Sequence, residues 1–304
     1  MSLITLFTAP KPFSNPHIAT IQRNAIRSWT NLSEVDVLLM GKDAGLAEAA
    51  VELGVTHLPD IQCNQNGTPL ISSMFSLARN NSSSPLLCII NTDILLMPDF
   101  VEAARQVLPL KDRFVMLGRR WDLDVTEALE FTGDWSRQLK DRALEEGLLH
   151  RPAGSDYFLF PRNCYADIPD FTIGRAGWDN WMIYKARQEN WPTIDGTPSN
   201  MIIHQNHDYS HLPGGQPHYS LPETDENIHL AGGQAAIRYT VLDTNRRLVN
   251  GRLLWPSPSW GRFWRGVELL LRKVFAFLPE ERREKIVRPK RWLKLLKKRF
   301  KNRT

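Results

Sequence analysis

The strongest chemical signal in the chain is an apolar run, Pro85-Leu-Leu-Cys-Ile-Ile90, that ends in Asn91-Thr92-Asp93. A carboxylate just past the C-terminal end of a buried parallel strand sits where open α/β sheets bind ligands. Asn91 and Asp93 offer hard oxygen donors to Mg2+ or Mn2+, and such an ion can hold a diphosphate. The plainer alternative is an aspartate that only turns the chain after a strand. A second group, His204, His207, Asp208 and His211, lies within eight residues. Histidines at i, i+3 and i+7 can share a helix face and bind zinc. The preceding Ile202-Ile203 and the following Pro213-Gly214 favour a strand that ends at His204 and runs into a loop. A surface histidine cluster is the third option. Asp179 stands between Trp178 and Trp181 at the start of a helical stretch. Such an apolar setting raises a carboxylate's pKa and suits a general base, whereas a plain helix cap needs only the same oxygen. Adjacent Arg119 and Arg120 after a strand could pair with a diphosphate, or could be solvated loop arginines. Asp156, after Gly154, can accept hydrogen bonds from ligand hydroxyls, and Tyr157, Phe158, Trp178 and Trp181 near it could stack on a ligand ring or simply form core.

The elements that must position these groups alternate. Leu3–Thr8 reads as a strand, His17–Trp29 as a helix, Val35–Met40 as a strand, and Leu46–Leu53 as a helix closed by Gly54. Val55–Leu58 is a short strand, Leu70–Ala78 helical, and Pro85–Ile90 a strand. This order predicts an α/β fold with a mostly parallel sheet wound by βα units. Phe114–Leu117 and Tyr157–Phe160 are further strands, Asp134–Glu146 and Asp179–Gln188 helices, and Met201–His204 a strand. Gln234–Val249 is expected to be helical. Trp260–Leu278 repeats apolar residues at helical spacing among Arg262, Arg265, Arg272 and Lys273, which makes an amphipathic basic helix. The domain boundary is expected at 245/246, with a basic C-terminal extension over 246–304.

Composition narrows the classes. The chain has 304 residues, 42% of them hydrophobic, with ten Trp, thirteen Phe and six Tyr, so it can build a large core and is not disordered as a whole. Cys63, Cys88 and Cys164 form no CxxC pair, which excludes a disulfide framework and a cysteine zinc site and suits a reducing compartment. MSLITLFTAPKPF lacks the charged n-region of a signal peptide, and no stretch approaches eighteen apolar residues. A soluble protein in the cytoplasm is expected. Twelve of the 38 Lys and Arg and one of the 33 acids lie in 282–304, a net of +11, leaving a net of −6 on the rest. A basic tail on an acidic body argues for contact with an anionic surface and against a nucleic-acid-binding core.

Taken in order, these segments resemble the GT-A-fold, nucleotide-sugar-dependent glycosyltransferases. The resemblance runs over residues 3–211. It is carried by Leu6-Phe7-Thr8-Ala9-Pro10, the helix to Arg79, a DxD-type motif degenerate to Asn91-Thr92-Asp93, Gly154-Ser155-Asp156-Tyr157, Gly177-Trp178-Asp179-Asn180 and Met201-Ile-Ile-His204. It implies a GT-A-like (Rossmann-like) domain that moves a sugar from a nucleoside diphosphate sugar, a UDP-sugar first, to a hydroxyl acceptor with inversion. It further implies Asp179 as base, Thr8, Pro10, Arg79, Thr92 and Asp156 as donor contacts, and Asp93, Asn91, His204 and His207 around Mn2+ or Mg2+. The acceptor is expected to be a glycan or lipid-linked molecule, with the enzyme peripheral on the inner face of a membrane. Asn91 and Asn180 stand where the family places acids, and the base-binding aspartate is left open among Asp36, Asp43 and Asp60. The competing readings are an inactive sugar-binding scaffold and a nucleotidyltransferase. The latter normally carries a glycine-rich loop where this chain has Ala9-Pro10-Lys11-Pro12.

Overall fold

Strand pairing begins with β1 (Ile4–Thr8), which lies parallel to both β2 (Val35–Met40) and β4 (Leu86–Ile90), while β3 (Thr56–Leu58) extends the edge beyond β2. The computed structural model describes residues 2–207 and 221–287. Helices α1 (Pro16–Thr30), α2 (Leu46–Leu53) and α3 (Ile71–Asn80) provide the crossovers. Every residue of β4 is buried because its two faces serve two cores. Leu86, Cys88 and Ile90 join Trp29 and Phe100 on one side, and Leu87 and Ile89 join Phe75 and Phe158 on the other. That double burial is why the segment reads as an unbroken apolar run rather than an alternating one.

On the far side of β4 the sheet continues through β9 (Tyr157–Pro161), β6 (Val115–Leu117), β10 (Thr193–Asp195), β12 (Arg246–Val249) and β13 (Arg252–Leu254), nine strands in all among the described residues. Only β9 and β13 run against their neighbours. The reversal of β9 matters for the site. It brings the start of that strand, beside Asp156, to the edge where β4 ends, and the Asn91 N–H donates to the Asp156 carbonyl at 2.9 Å.

A second sheet of four strands carries the histidines. Its order is β5 (Ile94–Leu95), β11 (Ile202–Gln205), β7 (Arg120–Leu123) and β8 (Leu148–Leu149). In a third core, Leu139 and Ala143 of α5 (Trp135–Glu146) pack with Leu95, Leu123 and Ile203 of this sheet. The remaining helices of the first unit are α4 (Pro98–Val107), α6 (Trp178–Gln188) and α7 (Pro222–Leu230). The mixed, mostly parallel sheet flanked by helices is the architecture the alternating pattern predicts.

Two expectations are corrected. Residues 234–249 are not a helix. They form single turns at Ala236–Arg238 and Val241–Asp243, and then β12. Thr240 and Asp243 cap each other there, closing a single turn just before the chain extends to pair with β10. The boundary expected at 245/246 consequently moves, since β12 and β13 complete the large sheet and the chain divides into Met1–Pro256 and Ser257–Thr304. In the second unit, α8 (Trp260–Val274) is capped by Ser259 and ends four residues before Leu278, ahead of α9 (Glu280–Val287). No described helix is long and apolar enough to cross a membrane.

Candidate metal and catalytic site

The turn after β4 and the end of β11 meet. Ile94 pairs with His204, and the Asp93 carbonyl accepts the Gln205 N–H at 3.0 Å. This pairing delivers Asp93, His204 and His207 to one point, where one ligand atom from each lies within 4.8 Å of the others. His207 Nε2 stands 3.0 Å and His204 Nε2 3.9 Å from Asp93 Oδ2. The other carboxylate oxygen, Asp93 Oδ1, is buried without a hydrogen-bond partner. His207 Nε2 also faces Lys11 Nζ at 3.3 Å, so one ring nitrogen meets both an ammonium donor and a carboxylate acceptor. No single protonation state of that nitrogen suits both. An orphaned buried carboxylate oxygen beside two imidazoles is a donor set that fits a divalent cation such as Mn2+. Burial opposes ionisation of Asp93, but His204, His207 and Lys11 outweigh it and hold the carboxyl well below its ordinary range. Burial also opposes protonation of His204, and Asp93 and Asp122 overcome it to lift that pKa.

A second group stands alongside. Asp156 Oδ1 accepts from Arg120 Nη1 at 2.6 Å and from Asn91 Nδ2 at 3.1 Å, while its buried Oδ2 has no partner. Arg120 also donates through Nε to Asp122 at 2.8 Å, and Asp122 accepts from His150 Nδ1 at 2.6 Å. The charge of Asp156 is felt by both His204 and Asp179, which ties the converging Asp93, His204 and His207 group to the start of α6.

Asp179 occupies the first turn of α6 behind Gly177, whose φ of 115° lets the chain turn into the helix without a side-chain cap. Burial pushes its pKa up to about 6, with Asp156 adding to the rise and the backbone N–H groups of residues 177, 179 and 180 opposing it. Its neighbours are core rather than sugar platforms. Trp178 packs on Phe158 and Trp181 on Phe171, both tryptophans less than a tenth exposed. Tyr157 and Phe158 are fully buried as well, so the stacking expectation fails for all four. Asn180 donates to the Tyr239 carbonyl at 2.7 Å and holds the turn before β12.

Buried polar residues of α1 hold these pieces in register. Gln22 accepts the Lys11 N–H at 2.7 Å and the Thr92 hydroxyl at 3.0 Å, and donates to the Lys11 carbonyl at 2.9 Å. Asn24 donates to Gln205 Oε1 and to the Glu127 carbonyl, and Ser28 receives the Leu96 N–H. Sequence alone does not single out Gln22, Lys11, Asp122 and His150. The available signal was Gln22 itself, a polar residue four after Ile18 on the apolar stripe of an amphipathic helix.

The other predicted residues divide. Thr8 and Pro10 are buried in and just after β1, leading into Lys11, and Thr92 is held by Gln22. Arg79 is not brought to the site. Its guanidinium donates to the carbonyls of Arg162, Cys164 and Tyr165, beside the start of β4 rather than its end. Arg119 holds the carbonyls of His150 and Leu149, which occupies it structurally, whereas Arg120 is the one of the pair that faces Asp156. His204 lies within β11 and His207 follows the strand, so the helix-face zinc arrangement is not formed. Asp208 and His211 lie outside the described residues. Of the three open aspartates, Asp43 lines a cleft of 210 Å3 with Gly41, Lys42 and Cys63, while Asp60 is exposed and ion-paired to Lys42. All three cysteines are free.

No protein-family model and no curated protein matches the chain. Among solved structures it is similar to glucosyl-3-phosphoglycerate synthase from Mycobacterium tuberculosis in complex with phosphoglyceric acid, at 15% identity and a TM-score of 0.46, over 77% of this chain and 81% of that one. The same enzyme with Mg2+ and UDP gives 16% identity and 0.42 over 68% and 72%. A mannosyltransferase from Pyrobaculum calidifontis with GDP-Man and Mn2+ gives 11% identity and 0.43 over 69% and 58%.

Proposed function

We propose that this chain is a metal-dependent glycosyltransferase that moves a sugar from a nucleoside diphosphate sugar, a UDP-sugar first, to a hydroxyl acceptor with inversion. The observation that carries the reading is a three-donor cation site with an orphaned Asp93 oxygen, linked through the charge of Asp156, which acts on both His204 and Asp179, to a carboxylate whose pKa is pushed up to about 6. Asp93, His204 and His207 are the residues that would hold Mn2+ or Mg2+. Such an ion, when bound, neutralises charge developing on a departing diphosphate. Thr8, Pro10 and Thr92 line the approach to the donor, and Lys11 adds a cation beside it. Asp156, with a buried oxygen left unpaired, is suited to a sugar hydroxyl. Asp179 accepts the proton of the acceptor hydroxyl as that oxygen attacks the anomeric carbon and the nucleoside diphosphate leaves. Asp43, in the 210 Å3 cleft at the end of β2, is the choice for contact with the base. The inactive-scaffold alternative loses one of its two supports, because Asn180 has a structural task at Tyr239 and need not be a decayed acid.

The test is thermal shift and calorimetry with UDP, GDP and their sugars, with and without Mn2+. A ligand raises apparent stability only if the folded state binds it. Mn2+-dependent nucleotide binding that Asp93→Ala abolishes while leaving the fold intact is expected. Binding unchanged in that variant removes the metal assignment.

The acceptor is read as a glycan or lipid-linked molecule, with the enzyme peripheral on the inner, anionic face of a membrane. The support is α8, where Trp260, Phe263 and Trp264 pack on one another yet remain 73%, 56% and 52% exposed, followed by the strongly basic 282–304. Exposed aromatics beside cations favour the bilayer interface, at about 1 kcal/mol per engaged Lys or Arg. Flotation with vesicles containing anionic lipid, for the full chain against one ending at Pro256, tests this. Equal soluble recovery of both removes it.

A further inference from the structure

The cation site leaves one feature unexplained. Asp122 is among the most heavily engaged carboxylates near it, yet it does not belong to the converging donor set. Strands β7 and β11 run parallel with Asp122 directly opposite His204, so the two side chains emerge side by side from the same face of the small sheet. Asp122 Oδ1 stands 3.3 Å from His204 Nδ1, within ion-pair reach but short of the alignment of a hydrogen bond, so that this buried nitrogen has no hydrogen-bond partner of its own, while His204 Nε2 is the ring atom directed at Asp93, 3.9 Å away. The carboxylate is itself clamped. Arg120 Nε reaches its Oδ1 at 2.8 Å and His150 Nδ1 its Oδ2 at 2.6 Å. Both oxygens are therefore committed to neighbours, and Arg120 in turn is anchored on the buried Asp156.

We infer that Asp122 is the positioning residue for His204, holding the proton on Nδ1 and so presenting the Nε2 lone pair to the cation. Resting on the metal-dependent reading above, the inference extends it to a residue that touches neither ion nor sugar. A neutral imidazole has one donor and one acceptor nitrogen, and the partner of the first decides which nitrogen is free to bind metal. A carboxylate behind a ligating histidine fixes both tautomer and ring orientation, and its loss typically weakens metal binding about 10–100-fold. His150 and Arg120 complete the arrangement by fixing Asp122 from the other side, which explains two adjacent bonds that a surface carboxylate would not assemble. Asp122→Asn is the sharper perturbation. It keeps the volume and offers an amide that can turn its NH2 toward His204, and two donors cannot share the contact. His150→Gln, at a more exposed position, loosens the clamp from outside without touching His204.

The measurement is Mn2+ affinity with the metal alone and with UDP, followed by the electron paramagnetic resonance signal of free Mn2+, alongside urea unfolding of each variant. The inference expects Asp122→Asn to weaken Mn2+ binding about 10–100-fold, and His150→Gln to weaken it by a smaller factor in the same direction. Mn2+ affinity unchanged in Asp122→Asn, with or without a change in stability, overturns it and leaves a purely structural carboxylate. Should Asp122→Asn not fold, unchanged affinity in His150→Gln overturns it equally. Failure of the underlying reading looks different, since wild-type protein would then bind no Mn2+, or bind it in a way that Asp93→Ala does not disturb.

Discussion

Replacing Asp179 by asparagine should make the protein more stable and nearly inactive at once. The side chain sits in the first turn of α6 among Trp178 and Trp181, and burial lifts its pKa from the ordinary 3.8 to about 6. A carboxylate whose folded-state pKa is raised binds its proton more tightly in the native state than in the unfolded one. Below about pH 3.8 both states are protonated and nothing is lost. Between about 3.8 and 6 native stability falls as pH rises, and above 6 the full cost of an ionised, half-buried carboxylate is present. At about 1.36 kcal/mol per pH unit the gap amounts to roughly 3 kcal/mol, and to the order of 1–3 kcal/mol once solvent screening of a part-exposed group is allowed for. Asp179→Asn removes the charge while keeping an oxygen for the backbone N–H groups. It should raise Tm at pH 7.5 by about 2–4 °C per kcal/mol recovered, and lose that advantage at pH 4. Turnover should fall by about 10²–10⁴, the usual contribution of a general base, with donor binding unchanged. In the wild type kcat should drop about tenfold per pH unit below 6, as the base form is titrated away. Differential scanning calorimetry at pH 4 and 7.5, with single-turnover kinetics on a UDP-sugar, reads both halves. Near wild-type turnover in Asp179→Asn refutes the base assignment, and a Tm that is unchanged or lower at pH 7.5 refutes the dehydrated environment.

Three further perturbations probe the supports. Gln22→Ala strands the Lys11 N–H and the Thr92 hydroxyl, at about 1–3 kcal/mol for each buried group left unsatisfied, and should lower the urea midpoint and weaken Mn2+ binding together. Arg120→Met removes the ion-pair partner of the nearly buried Asp156 and should cost about 3–5 kcal/mol in urea unfolding, part of which Asp156→Asn restores in the double variant. Asp43→Ala, in the cleft beyond β2, should weaken UDP binding by calorimetry while leaving affinity for Mn2+ alone unchanged.

The parts of this molecule that were legible in the sequence are those where one local rule decides. The run from Leu86 to Ile90 is apolar throughout because both faces are buried, and that pattern placed Asp93 at a strand end before any contact was known. Asp179 was legible for the same reason, since flanking tryptophans announce a dehydrated carboxylate. Arg79 misled because a cation at the end of a helix looks the same whether it meets a phosphate or, as here, three backbone carbonyls. Asp122 was hidden for a different reason. Its proximity to His204 depends on β7 lying in register with β11, some eighty residues later, and no window of sequence contains both strands. Residues 234–249 carry mixed polarity that a helix tolerates, and only pairing with β10 draws their end into the sheet.

The reversal of β9 has an evolutionary corollary. Around the ligand-binding edge most walls are exits, where a strand delivers its last residue and the following loop is free to vary. Asp156 stands at an entrance, so the segment that can lengthen or shrink ahead of it is the one before β8, from 124 to 147. That stretch holds α5, and its length can change without sliding β9 against β4. That side can therefore be redrawn while Asn91, Thr92 and Asp93, fed from the opposite direction along β4, stay under a separate constraint. Replacing 124–147 as a block is the exchange this topology tolerates best.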